Sequence, residues 1–205
     1  MIYVAHRINE ITLLKSLPSE MGVEIDLRSY GNEIILHHDP FIPGVLFNEW
    51  LKSYRHSLLI LNIKEEGLED KILESLCTFN INNYFFLDQS FPFLVKSIKK
   101  GRSQSALRVS EFESIETAKN LKGKVDWVWL DFFSHFPLEA DSMKLLKDMA
   151  YKVCIVSPEL HGFIPEVEIP KLANFFLKNS IKIDAICTKN TELWKINLKK
   201  NDQSY

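Results

Sequence analysis

His6 and Arg7 follow the apolar run Val4-Ala5, and Glu24, Asp26 and Arg28 punctuate a second apolar run that begins at Gly22. Side chains alternate across a strand, so Glu24, Asp26 and Arg28 share one side while Val23, Ile25 and Leu27 take the other. Two carboxylates on one face of an apolar strand are costly to bury unless a cation or strong donors meet them, and a divalent metal fits that need. Past a turn at Tyr30-Gly31-Asn32, the run from Ile34 leads to His37-His38-Asp39-Pro40. Imidazole titrates near neutrality, which suits His6 and His38 to proton transfer. Alone, His6 would read as a strand-end histidine bonded to a carbonyl; beside Glu24, Asp26 and His38 the catalytic reading prevails. Parity sets His37 opposite His38 and gives it a structural or solvent-facing role.

The elements that must position these residues recur along the chain. Apolar or β-branched runs at 2–7, 22–28, 58–64, 84–90, 105–110, 127–133, 152–159 and 184–190 predict strands. Helical patterns lie between them at 10–17, 46–54, 68–78, 92–99, 111–121, 138–149 and 169–179, with a last one from Thr191 onward. Strands that read as nearly continuous apolar runs and alternate with helices predict a parallel sheet covered by helices. Eight such units predict an α/β chain closed as a single-domain (β/α)8 TIM barrel over 1–198, compact because ~250 residues is typical. A doubly wound open sheet is the runner-up. No linker composition divides the chain, and 199–205 reads as a polar C-terminal tail.

In such a barrel the active site lies at the C-terminal ends of the strands. The predicted runs end in charge or amide: His6 and Arg7, then Glu24, Asp26 and Arg28, then Asn62 and Lys64, then Asp88, Arg108, Asp131, Glu159 and Lys189. Any one of these would serve as a helix cap or rim ion pair. Together they suit a polar, anionic substrate held with a metal. Glu159, before His161-Gly162, is the best late candidate for a substrate or metal contact. Glu65, Glu66, Glu69 and Asp70 form an acidic helix start that suits the helix dipole. Trp127 and Trp129 share one strand face and read as packing.

The chain of 205 residues, 46% hydrophobic and 25% charged, can bury a sizeable core. Its net charge of -2 offers no basic field for nucleic acid or an anionic membrane. No signal peptide or membrane-spanning segment is evident, and Cys77, Cys154 and Cys187 read as buried thiols of a reducing compartment, so a cytoplasmic location is expected.

His6-Arg7, then Glu24-x-Asp26, then His38-Asp39 resembles the His-Arg, Glu-x-Asp, His-Asp signature of glycerophosphodiester phosphodiesterases and the wider phosphatidylinositol-phospholipase-C-like superfamily of TIM barrels. Lys64 resembles the lysine of that family's carboxylate-x-Lys motif, and the segments ending at Asp131, Glu159 and Lys189 are similar to its later strands. The resemblance implies a phosphoric diester hydrolase of lipid metabolism acting on a small phosphodiester. It assigns proton transfer to His6 and His38, phosphate contacts to Arg7 and Lys64 with Arg108, and a divalent metal, Mg2+ or Ca2+, to Glu24 and Asp26. Asp131, Glu159 and Lys189 would supply further contacts. Three departures stand out. Ile8 follows His-Arg where the family has Gly, the insertion usual after His-Asp is short or absent, and Asn62 falls where the family has its third carboxylate. An amide oxygen brings no charge, so the expected metal is weakly bound. The alternatives are a degenerate barrel that binds a phosphorylated ligand without turnover, and a lyase that uses Lys64 to form a Schiff base.

Overall fold

The computed structural model describes residues 1–199, so the expected tail lies, apart from Lys199, outside the described residues. The chain packs as two compact units, Ile2–Ala106 and a second that begins at Leu107.

In the first unit the strands are β1 (Ile2–Ala5), β2 (Gly22–Tyr30), β3 (Glu33–Leu36), β4 (Val45–Leu46), β5 (Leu58–Ile63) and β6 (Tyr84–Leu87). The helices are α1 (Ile11–Ser16), α2 (Phe47–Leu51), α3 (Glu69–Thr78) and α4 (Phe91–Lys99). β1, β2, β5 and β6 are parallel neighbours, with Val4 opposite Gly22, Asp26 opposite Asn62 and Asn62 opposite Leu87. Every residue of β5 is buried, as a parallel strand covered on both faces requires. Val23, Ile25 and Leu27 join Leu14, Trp50 and Ile72 from the helices in one apolar core. That contact fixes the opposite face of β2 as the one that carries Glu24 and Asp26.

β2 outruns its parallel partners. From Leu27 to Tyr30 it pairs antiparallel with β3, which pairs in turn with β4. This hairpin was not among the expected strands, because 33–36 and 45–46 are too short to stand out as periodic runs. Gly44 is required at its corner: a Cβ there would lie 2.3 Å from the Leu36 carbonyl oxygen.

β7 (Ala106–Val109) opens on the last residue of the first unit and runs into the second, which continues with α5 (Ile115–Asn120), β8 (Trp127–Leu130) and α6 (Ala140–Asp148). The second unit ends with β9 (Lys152–Val156), α7 (Pro165–Lys178), β10 (Ala185–Thr188) and α8 (Thr191–Lys199). β9 lies parallel between β8 and β10. β1, β2, β5, β6, β8, β9 and β10 run parallel to their neighbours and β7 is hydrogen-bonded to β8; a helix follows each of the eight, after the β3–β4 excursion in the case of β2, as in a (β/α)8 chain.

Several boundaries differ from expectation. β1, β5, β6, β8, β9 and β10 stop short of most of the polar residues assigned to their ends, so His6, Arg7, Lys64, Asp88, Asp131 and Lys189 sit in the loops that follow, Glu159 sits in a short 3-10 helix over Pro158–His161, and Asn62 stays inside β5. Arg108, expected at a strand end, lies inside β7. α7 begins at Pro165, because a proline with Glu166 and Glu168 makes a good first turn. α5 begins only at Ile115, where Ser114 accepts a hydrogen bond from the Glu116 N–H. Lys199 closes α8 rather than opening the tail. Trp127 and Trp129 are buried. Cys154 and Cys187 are buried, but Cys77 is exposed, because it faces away from the buried side of α3.

Candidate active site

All the geometry around Glu24 and Asp26 belongs to the first unit. Both carboxylates are buried, at 1% and 0% exposure. Glu24 Oε2 accepts from the Arg7 N–H at 2.7 Å, and Glu24 Oε1 accepts from Asn62 Nδ2 at 2.9 Å. Asp26 is gripped by Asn9, whose Nδ2 donates to Asp26 Oδ2 at 2.9 Å while its Oδ1 accepts from the Asp26 N–H at 2.9 Å. Basic side chains gather around the pair. Lys64 Nζ lies 3.3 Å from Asp26 Oδ1 and 4.0 Å from Asp88, Arg7 Nε lies 3.9 Å from Asp26 Oδ2, and His6 Nε2 lies 3.9 Å from Glu24 Oε2.

The backbone bends to make this possible. Arg7 adopts φ 55, a left-handed conformation uncommon for a residue with a side chain, and in it the Arg7 N–H reaches Glu24. The Ile8 N–H then donates to the Glu24 carbonyl at 2.8 Å, and the Trp50 indole donates to the Ile8 carbonyl at 3.0 Å. A loop so tied to β2 and α2 can hold a strained residue in place.

Burial raises the Glu24 carboxyl to about 7, and the Asp26 charge pushes the same way; the bonds from Asn62 and Arg7 and the charge of Lys64 only partly oppose them. Asn62 Oδ1 is buried without a hydrogen-bond partner. A buried amide oxygen and two carboxylates are hard oxygen donors of the kind a divalent cation takes, so these residues fit one. Among the described residues no group of three or more His, Cys, Asp and Glu side chains converges as a metal site.

His38 stands where β3 gives way to loop. Its Nδ1 lies 2.8 Å from Asp39 Oδ1, and the hydrogen bond to His38 holds the Asp39 carboxyl below its usual range, helped by the charge of Arg7. An ionised Asp39 can only accept, so His38 carries its proton on Nδ1 and offers Nε2 as the basic nitrogen. His37 turns back on the chain, where its Nδ1 accepts from the Asp39 N–H at 2.9 Å. Arg28 points its guanidinium at backbone: Nε donates to the His38 carbonyl at 3.0 Å and Nη1 to the Lys64 carbonyl at 3.4 Å.

The remaining expected residues lie in the second unit. Arg108 is paired with Asp131 and stands 3.8 Å from Glu113. Asp131 also accepts from the Phe132 N–H and pairs with His161 Nε2. Glu159 accepts from Ser157, from Thr188 Oγ1 at 2.6 Å and from the Lys189 N–H at 2.9 Å. Burial raises the Glu159 carboxyl, but these bonds outweigh it and hold the group low. Here Glu159 fastens the ends of β9 and β10. Asn9 and the pairing of His161 with Asp131 were not among the expected contacts, and no local pattern signals either of them. Arg28 had a signal in the parity of β2 and Asp39 in its adjacency to His38, although the backbone-directed role of Arg28 was not expected.

No protein-family model matches the chain, and no curated protein does. Solved structures do. A glycerophosphodiester phosphodiesterase from Agrobacterium tumefaciens aligns with a TM-score of 0.66 at 10% identity, covering 96% of this chain and 98% of that one. A Galdieria sulphuraria protein given the same assignment aligns at 0.65 with 13% identity, covering 96% and 95%. A glycerophosphoryl diester phosphodiesterase from Parabacteroides distasonis aligns at 0.59 with 11% identity, covering 91% and 81%. The likeness shows the TIM-barrel fold. No helix among the described residues is long and apolar enough to cross a membrane.

Proposed function

We propose that this chain is a phosphodiesterase acting on a small phosphodiester of the glycerophosphodiester kind, with His6 and His38 in the proton transfers. The observation that carries the reading is the buried Glu24–Asp26 pair with Arg7, Lys64 and His6 around it and the His38–Asp39 dyad on the adjoining strand end. Arg7 and Lys64 supply donors for the non-bridging phosphate oxygens. His38 Nε2 takes the proton of the attacking oxygen as its bond to phosphorus forms. His6 gives a proton to the leaving oxygen as the other P–O bond breaks, which yields a phosphomonoester and an alcohol when water attacks. Glu24, Asp26 and Asn62 would hold Mg2+ or Ca2+, which when bound neutralises charge on the phosphate. The neighbours' names support the substrate class and the fold is compatible with it.

A degenerate, ligand-binding barrel is the second reading. It is favoured by Asn62, which gives Glu24 a neutral partner where the resemblance expects a third carboxylate. The lyase reading is disfavoured, because Lys64 is engaged by Asp26 and Asp88 and an ammonium so held is a poor amine nucleophile. The test is turnover of bis(4-nitrophenyl) phosphate and glycerophosphodiesters with Mg2+ or Ca2+. His6→Ala and His38→Ala should each lose ~10²–10⁴-fold in kcat. Full activity in excess chelator and in both variants would overturn the mechanism, and a wild type inactive on every diester would favour the degenerate barrel.

A further inference from the structure

Arg28 repeats the parity of Glu24 and Asp26, yet it serves neither carboxylate. Its Nε donates to the His38 carbonyl at 3.0 Å, its Nη1 to the Lys64 carbonyl at 3.4 Å, and the same Nη1 lies 3.7 Å from Glu65 Oε1. Glu65 is tied back to the strand that carries Arg28, because it accepts from the Ser29 N–H at 3.2 Å and from Ser29 Oγ at 2.6 Å. The two carbonyls belong to the residues on which the proposed chemistry depends, and they lie just where regular pairing stops. The last rungs on either side are His37 N–H to the Asp26 carbonyl at 3.1 Å and Lys64 N–H to the Leu27 carbonyl at 3.0 Å. Beyond them the side chain of Arg28 replaces the ladder on both sides at once. We infer that Arg28 is a positioning residue, which sets His38 and Lys64 in one fixed geometry around the phosphate by holding both backbones with a single planar fork.

The chemistry favours arginine here. A guanidinium has separate N–H groups in a rigid plane and so binds two carbonyls and a carboxylate together, whereas an ammonium on a flexible stem binds as one point charge. With its side chain only 16% exposed, Arg28 is shielded from water, and its hydrogen bonds compete little with solvent. Misplacement of a reacting group by about 1 Å costs on the order of 10²-fold in rate. Releasing the fork therefore lowers kcat more than it weakens substrate binding, because the guanidinium is committed to two backbone carbonyls and Glu65.

This inference rests on the phosphodiesterase reading for its kinetic arm and on geometry alone for its second arm. The experiment compares wild type, Arg28→Lys and Glu65→Gln by steady-state kinetics on bis(4-nitrophenyl) phosphate, by amide hydrogen exchange and by thermal unfolding. Arg28→Lys should lower kcat by about 10²-fold with KM changed less than about threefold. It should also speed exchange at 37–39 and 64–65 while leaving α3 and β6 protected. Glu65→Gln, which removes the charge behind the fork and leaves one side-chain oxygen to accept from the Ser29 N–H, should move the same readouts in the same direction by a smaller factor. Unchanged kcat, or unchanged exchange in both segments, would overturn the inference. If Arg28→Lys does not fold, Glu65→Gln decides by the same criteria. A wild type without turnover would refute the functional reading instead, and the exchange data alone would then decide the role of Arg28.

Discussion

Glu24 stabilises the fold least in the charged form its proposed role requires. Its carboxyl is raised from 4.5 to about 7 by burial and by Asp26, so the folded state binds a proton that the unfolded chain has released. The stabilisation from that proton is complete below 4.5 and is lost as pH rises through about 7. Glu24→Gln should therefore raise the stability of metal-free protein at pH 8, on the order of 2–3 kcal/mol or roughly 5–10 °C in Tm, with no gain at pH 4. Glutamine still accepts from the Arg7 N–H, and its amide can donate to an Asn62 side chain turned to present the oxygen that now lacks a partner. Thermal melts in chelator at both pH values check this. Asn62→Asp works the other way. It removes the donor to Glu24 and adds a third acid to the pair, so it should lower Tm in chelator and tighten Mg2+ binding about tenfold, ~1.4 kcal/mol; calorimetry that shows weaker binding would refute it. Alternation in β2 made the shared face of Glu24 and Asp26 legible from sequence. The grip of Asn9 on Asp26 was not, because it depends on how the loop after β1 folds back, and no local pattern encodes that.

Among the elements, the hairpin β2–β3–β4 has the closest bearing on His38. The parallel repeats could be read because long buried strands and amphipathic helices leave strong periodic signals, whereas a four-residue and a two-residue strand leave almost none. Strand ends were blurred for a related reason. The polar residues after β1, β5 and β8 continue the alternation by one or two positions although they no longer pair. Gly44 tests how tightly the hairpin holds its loop. An added Cβ would meet the Leu36 carbonyl oxygen at 2.3 Å and His37 Cβ at 3.2 Å, so Gly44→Ala must push β3 and the His37–His38 backbone aside. Overpacking of this kind typically costs about 1–3 kcal/mol. Urea denaturation should show a loss of that size, and turnover should fall with it. An unchanged midpoint and rate would mean that the corner yields freely.

At the scale of the whole molecule, 10–13% identity over more than nine-tenths of the chain shows how little sequence the fold demands. Layer composition and strand–helix alternation carry it, which is why the fold class was legible without a close relative. The polar residues of the second unit were legible as positions but not as partnerships. Arg108 with Asp131, and Glu159 with Thr188, join segments far apart in sequence. One feature of the surface makes the chain its own reporter. Phe41 is 98% exposed and has φ 63, on the loop that follows His38-Asp39-Pro40. A protruding aromatic residue on a loop tip is a natural cutting point for chymotrypsin. Mild digestion should first nick the chain after Phe41, leaving fragments of 41 and 164 residues. A phosphodiester analogue that engages His38 should slow that nick relative to cuts elsewhere, so occupancy of the site becomes visible as the lifetime of one band on a gel, for ligands that are never turned over as well as for substrates.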